Sequence, residues 1–170
     1  RQMCIRDSAD IGYRTCLSGK WHLGDAREAQ CGFEDWYPMP FGQCSYRDVP
    51  LVKDGDHTCV NYTYATDLFT DNALKFLEEQ VEEEAPFCLN LSYTAPHKPW
   101  GREHHPEELW DDYYDNCPFK STPGPEEPLA PGFQRYSFLS PSDAEARKKV
   151  NPSELRRQDL AGYFTSIEAM

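Results

Sequence analysis

Between residues 64 and 83, apolar side chains recur at helical spacing: Ala65, Leu68, Phe69, Ala73, Phe76, Leu77 and Val81. Residues three and four apart share a helix face, so the pattern predicts an amphipathic helix. Thr63 or Thr66 can cap its start. The acidic run at its end opposes the helix dipole, so that terminus should be solvated. PFCLNLSY (86–93) follows, and its apolar run predicts a buried strand. A second buried strand is predicted over residues 13–18, between Gly12 and Gly19. From Gly24 to about Asp56 the chain is rich in Gly, Pro and aromatics and reads as a long irregular segment. The Asp54-Gly55 pair at its end can close a small hairpin. Residues 106–115 predict a short helix with Pro106 in its first turn. Residues 118–141 read as loop, and 142–149 as a short charged helix. A last helix should start after Asn151 or Ser153, with Leu160, Ala161, Phe164 and Ile167 on its buried face. It is still running where the sequence stops, without a C-terminal cap, which reads as a truncated sequence. Helix, strand and a loop bearing His and Lys follow an α/β order. In such sheets ligand groups gather at the carboxyl ends of the strands.

Charge narrows the function classes. The 170 residues carry 17 Lys and Arg against 29 Asp and Glu, a net charge of −12. That argues against a stand-alone nucleic-acid binder and disfavours an anionic membrane surface, since both need basic surface. No apolar run approaches the ~18 residues of a membrane helix. Hydrophobic residues make up 39% and aromatics 14%, too many for a disordered acidic chain. None of the seven Cys forms a CxxC pair, which argues against a zinc ribbon or a thioredoxin-like redox site. Cys16 and Cys88 lie in apolar runs and read as buried thiols. Cys31 and Cys44 either pair around the aromatic loop between them or stay free.

The densest polar constellation is Lys20, Trp21 and His22, flanked by Gly19 and Gly24. In an extended chain Lys20 and His22 share one side, about 6.5–7 Å apart along the backbone. A fixed cation beside a titratable donor suits an oxyanion such as sulfate or phosphate. The same residues also fit an ordinary surface turn. The second candidate is APHKPW, with His97 and Lys98 between Pro96 and Pro99. A proline-stiffened loop after a buried strand can hold a donor in place, or be no more than a rigid surface loop.

The remaining groups are weaker. His104 and His105 are adjacent and lack metal-ligand spacing. Glu78, Glu79, Glu82, Glu83 and Glu84 read as a solvated helix end. Asp111, Asp112 and Asp115 read as polar surface sooner than a hard-metal site. Trp36, Tyr37, Phe41 and Tyr46 either cover the sheet or line a sugar or aryl pocket.

GYRTCLSGKWHLG (12–24) closely resembles the second signature of the sulfatase family, within the alkaline-phosphatase-like superfamily. Gly32-Phe33, the helix YATDLFTDNALKFLEE and PFCLNLSYTAPHKPW resemble the same family. The terminal helix is similar to one that in the family ends in a Met-Asp pair. The resemblance is closest over about residues 10–100.

It implies an α/β, three-layer alkaline-phosphatase-like sulfatase fold, incomplete in this chain. Residues 9–170 are then an internal fragment of the N-terminal catalytic domain, and residues 1–8, RQMCIRDS, a non-native or misassembled leader. The implied activity is hydrolysis of sulfate esters, either aryl sulfates or sulfated glycans. The implied site residues are Lys20 on a sulfate oxygen, His22 beside a formylglycine nucleophile, and His97 beside the leaving oxygen. No Cys of this chain lies in the Cys-x-Pro-x-Arg pattern that becomes formylglycine. The nucleophile is therefore expected upstream, and the ligands of calcium or another divalent metal outside the chain. The fragment alone is expected to be inactive. The implied partners are a sulfate ester or sulfated glycan and, for the parent protein, a formylglycine-generating or other sulfatase-maturing enzyme, with no nucleic acid and no membrane span. A secreted, periplasmic or lysosomal location is implied. Two N-x-S/T sequons, at Asn61 and Asn90, do not establish a compartment. A phosphatase or phosphonate hydrolase of the same superfamily, or a sulfatase-like binding protein without catalysis, are the alternatives.

Overall fold

In the computed structural model, residues 5–53, 55–61, 63–122 and 151–170 are described. The chain divides into two compact units, residues 1–99 with 166–170, and residues 100–165. The first unit is built on a three-stranded parallel sheet of β1 (Arg14–Lys20), β2 (Asp35–Met39) and β5 (Phe87–Ser92) in the order β2-β1-β5. A short helix, α1 (Ile5–Asp10), precedes β1. An antiparallel hairpin of β3 (Asp48–Lys53) and β4 (Asp56–Asn61) follows β2, and α2 (Ala65–Gln80) leads into β5. The register aligns Lys20 with Met39 on one side and Gly19 with Ser92 on the other, so all three strands end at one edge.

Burial explains why β1 is central. Residues 15–19 are all buried, as expected of a parallel strand covered on both faces. On one face, Ser18 Oγ donates 2.8 Å to the Phe69 carbonyl of α2. Phe69 belongs to a cluster with Met39, Tyr46, Val49, Tyr64 and Ala65. On the other face, Leu17 packs with Trp21, Phe33 and Val52, with Ile5 of α1 against them. At the strand end, Gly19 has φ +110°, and a Cβ there would sit 2.0 Å from the Ser92 carbonyl oxygen. Only glycine meets both demands.

Several expectations change. Residues 24–56 are not wholly irregular, because they contain β2 and β3. Pro38 and Pro50 within these strands weakened the strand signal. The hairpin at Gly55, which has φ +83°, is as expected. Neither Thr63 nor Thr66 caps α2. Its N-cap is Tyr64, with no side-chain cap bond, and Thr66 is buried. The strand at 86–93 is present but only half covered: Asn90 is exposed and Phe87 is 46% exposed. This follows from its place at the end of the strand order, with β1 its one neighbour among the described residues. Cys16 is buried, Cys88 only half-buried, and Cys31 and Cys44 are free thiols, not a disulfide.

The second unit contains α3 (Glu107–Asn116) and most of α4 (Pro152–Glu168). Pro106 is the N-cap of α3. Trp110, Phe119 and Ala161 form its core, with Tyr113, Leu160 and Phe164 packed around them. Asn151 Oδ1 accepts from the Ser153 backbone N–H at 2.9 Å and caps α4, with Pro152 in its first turn. Ile167, expected on the buried face, is 37% exposed; Leu155, Thr165 and Ser166 are buried instead. The expected loop beyond residue 122 and the helix over 142–149 lie outside the described residues. Among the described residues no helix is long and apolar enough to cross a membrane.

Candidate active site

The site begins where β1 ends. Trp21 turns inward, edge-on to Trp36 at 4.8 Å and to Phe33 at 6.2 Å. Its backbone N–H continues the ladder to the Met39 carbonyl at 3.0 Å. Its indole N–H is buried and has no hydrogen-bond partner among the described residues. Lys20 ends β1 just before Trp21, and His22 follows it where the backbone leaves the extended conformation. Lys20 is half-buried and His22 exposed. Among the described residues neither side chain forms an ion pair or hydrogen bond. They present a fixed cation and an imidazole to whatever binds at this edge.

His22 is held in an uncommon way. Its φ is 54°, in the left-handed region that non-glycine residues seldom occupy. Its ring lies against Gly42, where a Cβ would come within 2.5 Å of both Cε1 and Nε2. A side chain at position 42 would take the space that the imidazole fills. Strain of this kind persists where the surroundings fix it, and it concentrates at functional sites.

The second arm follows β5. Thr94 is buried, and its carbonyl accepts from the His97 N–H at 2.9 Å. The His97 carbonyl accepts from the Tyr46 hydroxyl at 2.7 Å. Tyr46 is completely buried, and burial pushes its phenol above the ordinary range. The exposed His97 ring places Nδ1 3.0 Å from the Lys98 carbonyl. A carbonyl only accepts, so Nδ1 carries the proton, and Nε2 has no partner among the described residues. Protonated, that nitrogen is a donor; neutral, it is an acceptor.

The parallel register thus brings Lys20, His22 and the loop of His97 to the carboxyl edge of one sheet, where α/β folds gather ligand groups. Sequence reasoning marked Tyr46 only as one of four aromatics that cover the sheet or line a pocket, and it missed Gly42, since no spacing marks a glycine that packs on a ring. His104 and His105 belong to the second unit, where His105 is completely buried. Asp111 is engaged by Arg102, at 2.6 and 2.7 Å through both carboxylate oxygens, which holds its carboxyl below the ordinary range. Among the described residues no three His, Cys, Asp or Glu side chains converge as metal ligands. The divalent-metal centre that the family resemblance implies is therefore not formed by the described residues.

Comparison with known proteins identifies the chain. The sequence profile described as Sulfatase matches residues 8–170. The chain belongs to the sulfatase family. It is 37% identical over 116 residues to the N-acetylglucosamine-6-O-sulfatase of Bacteroides thetaiotaomicron, covering 60% of this chain and 20% of that protein. It is 32% identical over 113 residues to the ulvan-active sulfatase of Formosa agariphila, covering 60% of this chain and 21% of that one. The chain therefore spans about a fifth of the length of these curated relatives. Among solved structures, a sulfatase of Bacteroides fragilis, yidJ, superposes with TM-score 0.67 at 18% identity, over 97% of this chain and 36% of that one. The α/β sulfatase, alkaline-phosphatase-like fold is thus present here in part.

Proposed function

We propose that the full-length protein carrying this chain hydrolyses sulfate esters of amino-sugars, and that Lys20, His22 and His97 are catalytic residues of that reaction. The observation that carries the reading is the unpaired Lys20–His22 couple at the sheet edge to which the β5–His97 loop also leads. The 6-O-sulfatase name of the Bacteroides thetaiotaomicron relative supports the amino-sugar substrate. In this reading the Lys20 ammonium holds a sulfate oxygen before reaction begins. Preorganised charge of this kind stabilises a transferring anion without rearrangement. His22, fixed against Gly42, adds a second donor to the same anion. His97, with Nδ1 committed to the Lys98 carbonyl, offers protonated Nε2 to the departing sugar oxygen. A donor placed there meets the charge that develops as the S–O bond breaks. The nucleophile that attacks sulfur, formylglycine by family resemblance, comes from another part of the protein.

The test uses the full-length protein with N-acetylglucosamine 6-sulfate. Lys20→Ala, His22→Ala and His97→Ala should each lower kcat/KM by about 10²–10⁴-fold. The His97→Ala loss should shrink on an aryl sulfate, whose better leaving group needs less protonation. Wild-type turnover of a phosphate monoester above that of the matched sulfate, or near-normal turnover by Lys20→Ala, overturns the reading.

A further inference from the structure

The loop that seats Gly42 on the His22 ring also carries an exposed aromatic one residue earlier. Of the aromatics in this segment, Trp36 and Tyr46 pack into the two clusters, whereas Phe41 is 52% exposed. The Phe41 ring stacks on His57 of β4, with centroids 6.3 Å apart and planes 10° from parallel. His57 is itself exposed, so the hairpin braces Phe41 from behind without burying it. Leu23, next to His22, is 71% exposed. A lone exposed apolar side chain is ordinary. Here two of them are the chain neighbours of Gly42 and His22, which touch, and one is stacked on a partner ring.

We propose that the Phe41–His57 stack is the platform for the sugar ring of the sulfate ester, with the sulfate against Lys20 and His22. This rests on the sulfatase reading above. A pyranose has an apolar face of C–H groups, and an aromatic ring offers a flat, electron-rich surface that removes that face from water. The cationic pair fixes the anionic end of the substrate. The platform fixes rotation about the ester linkage and so aims the leaving oxygen. A 6-sulfate suits this layout, because its exocyclic methylene lets the ring lie beside the anion site. Free sulfate has nothing to place on the platform.

Two non-hydrolysable probes separate the platform from the anion site: N-acetylglucosamine bearing a 6-sulfonate in place of the sulfate, and methanesulfonate, which has no ring. Calorimetry on the full-length wild-type protein should show tighter binding of the sugar sulfonate. Phe41→Ala should weaken the sugar sulfonate about fivefold and leave methanesulfonate unchanged. Phe41→Leu, which keeps bulk but not a flat face, should behave like Phe41→Ala, and Phe41→Tyr should retain wild-type binding. His57→Ala should give a smaller loss of the same kind. If Phe41→Ala weakens neither probe, or weakens both equally, the platform is overturned while the Lys20–His22 anion site stands. If neither probe binds the wild type, the anion-site reading falls and takes the platform with it.

Discussion

Two histidines reach the same sheet edge by opposite means. His22 is fixed through its ring: the backbone sits at φ 54° and the imidazole fills the space above Gly42. His97 is fixed through its backbone: its N–H and carbonyl are both engaged, by Thr94 and Tyr46, while the exposed ring makes one bond to the neighbouring carbonyl. A ring locked by contact suits a group that must hold an anion in one place. A ring on an anchored backbone, with one nitrogen unpartnered among the described residues, suits a group that must take up and release a proton. The difference teaches that the supports of a site differ in kind, and so should fail differently.

The largest effect of breaking a support is expected at Gly42. Its backbone is not left-handed, and the three atoms nearest an alanine Cβ there all belong to the His22 ring. Gly42→Ala should lower kcat by about 10²-fold, because small misplacements of a catalytic group are that costly. The thermal midpoint should barely move, since the displaced imidazole is exposed. Gly24→Ala is the control. Gly24 has φ +106° with no atom near its would-be Cβ, so it should lose about 1 kcal/mol of stability and little activity. Equal activities in the two variants would show that the ring contact does not position His22.

A smaller effect is expected at Tyr46. Tyr46→Phe removes the donor to the part-buried His97 carbonyl, and leaving that acceptor unmet costs about 1 kcal/mol. Here stability should fall more than activity, with kcat/KM down about fivefold, a factor of about 1 kcal/mol on this scale. A variant with normal stability but lost turnover would reverse the contrast between the two arms.

The residues proposed here as reacting groups stand out in the sequence by charge and setting, whereas Gly42 does not and Tyr46 is marked only as one aromatic of its loop. Lys20 and His22 announce themselves by charge, by alternation around Trp21 and by flanking glycines; His97 does so by its prolines. The helix at 65–80 was visible because tertiary packing follows its own period. Gly42 acts through space on a residue twenty positions earlier, and Tyr46 on one fifty-one positions later. Neither relation leaves a local pattern. β2 and β3 were hidden by Pro38 and Pro50, which fit because the surrounding packing overrides local propensity. The exposure of β5 is a property of sheet order, which no single strand encodes.

Alkali offers the last and smallest test, because each arm rests on a buried acid. Cys16 lies inside β1, two residues before Ser18, and burial, then the Asp35 and Glu79 charges, push its thiol from 9.0 up to about 12. Tyr46, under the His97 loop, is raised mainly by burial. Both groups hold their protons more tightly folded than unfolded. Their contribution to stability is therefore complete below the unfolded values, about 9 for the thiol and about 10 for the phenol, and declines as pH climbs toward the folded ones. Denaturation midpoints should fall between about pH 9 and pH 12. Cys16→Ala should flatten the start of that decline, though it lowers the midpoint at pH 7 by leaving a cavity. Tyr46→Phe should flatten only the later part, because its proton leaves the unfolded chain about one pH unit higher. A decline whose onset is unchanged in Cys16→Ala would show that the buried thiol does not carry it.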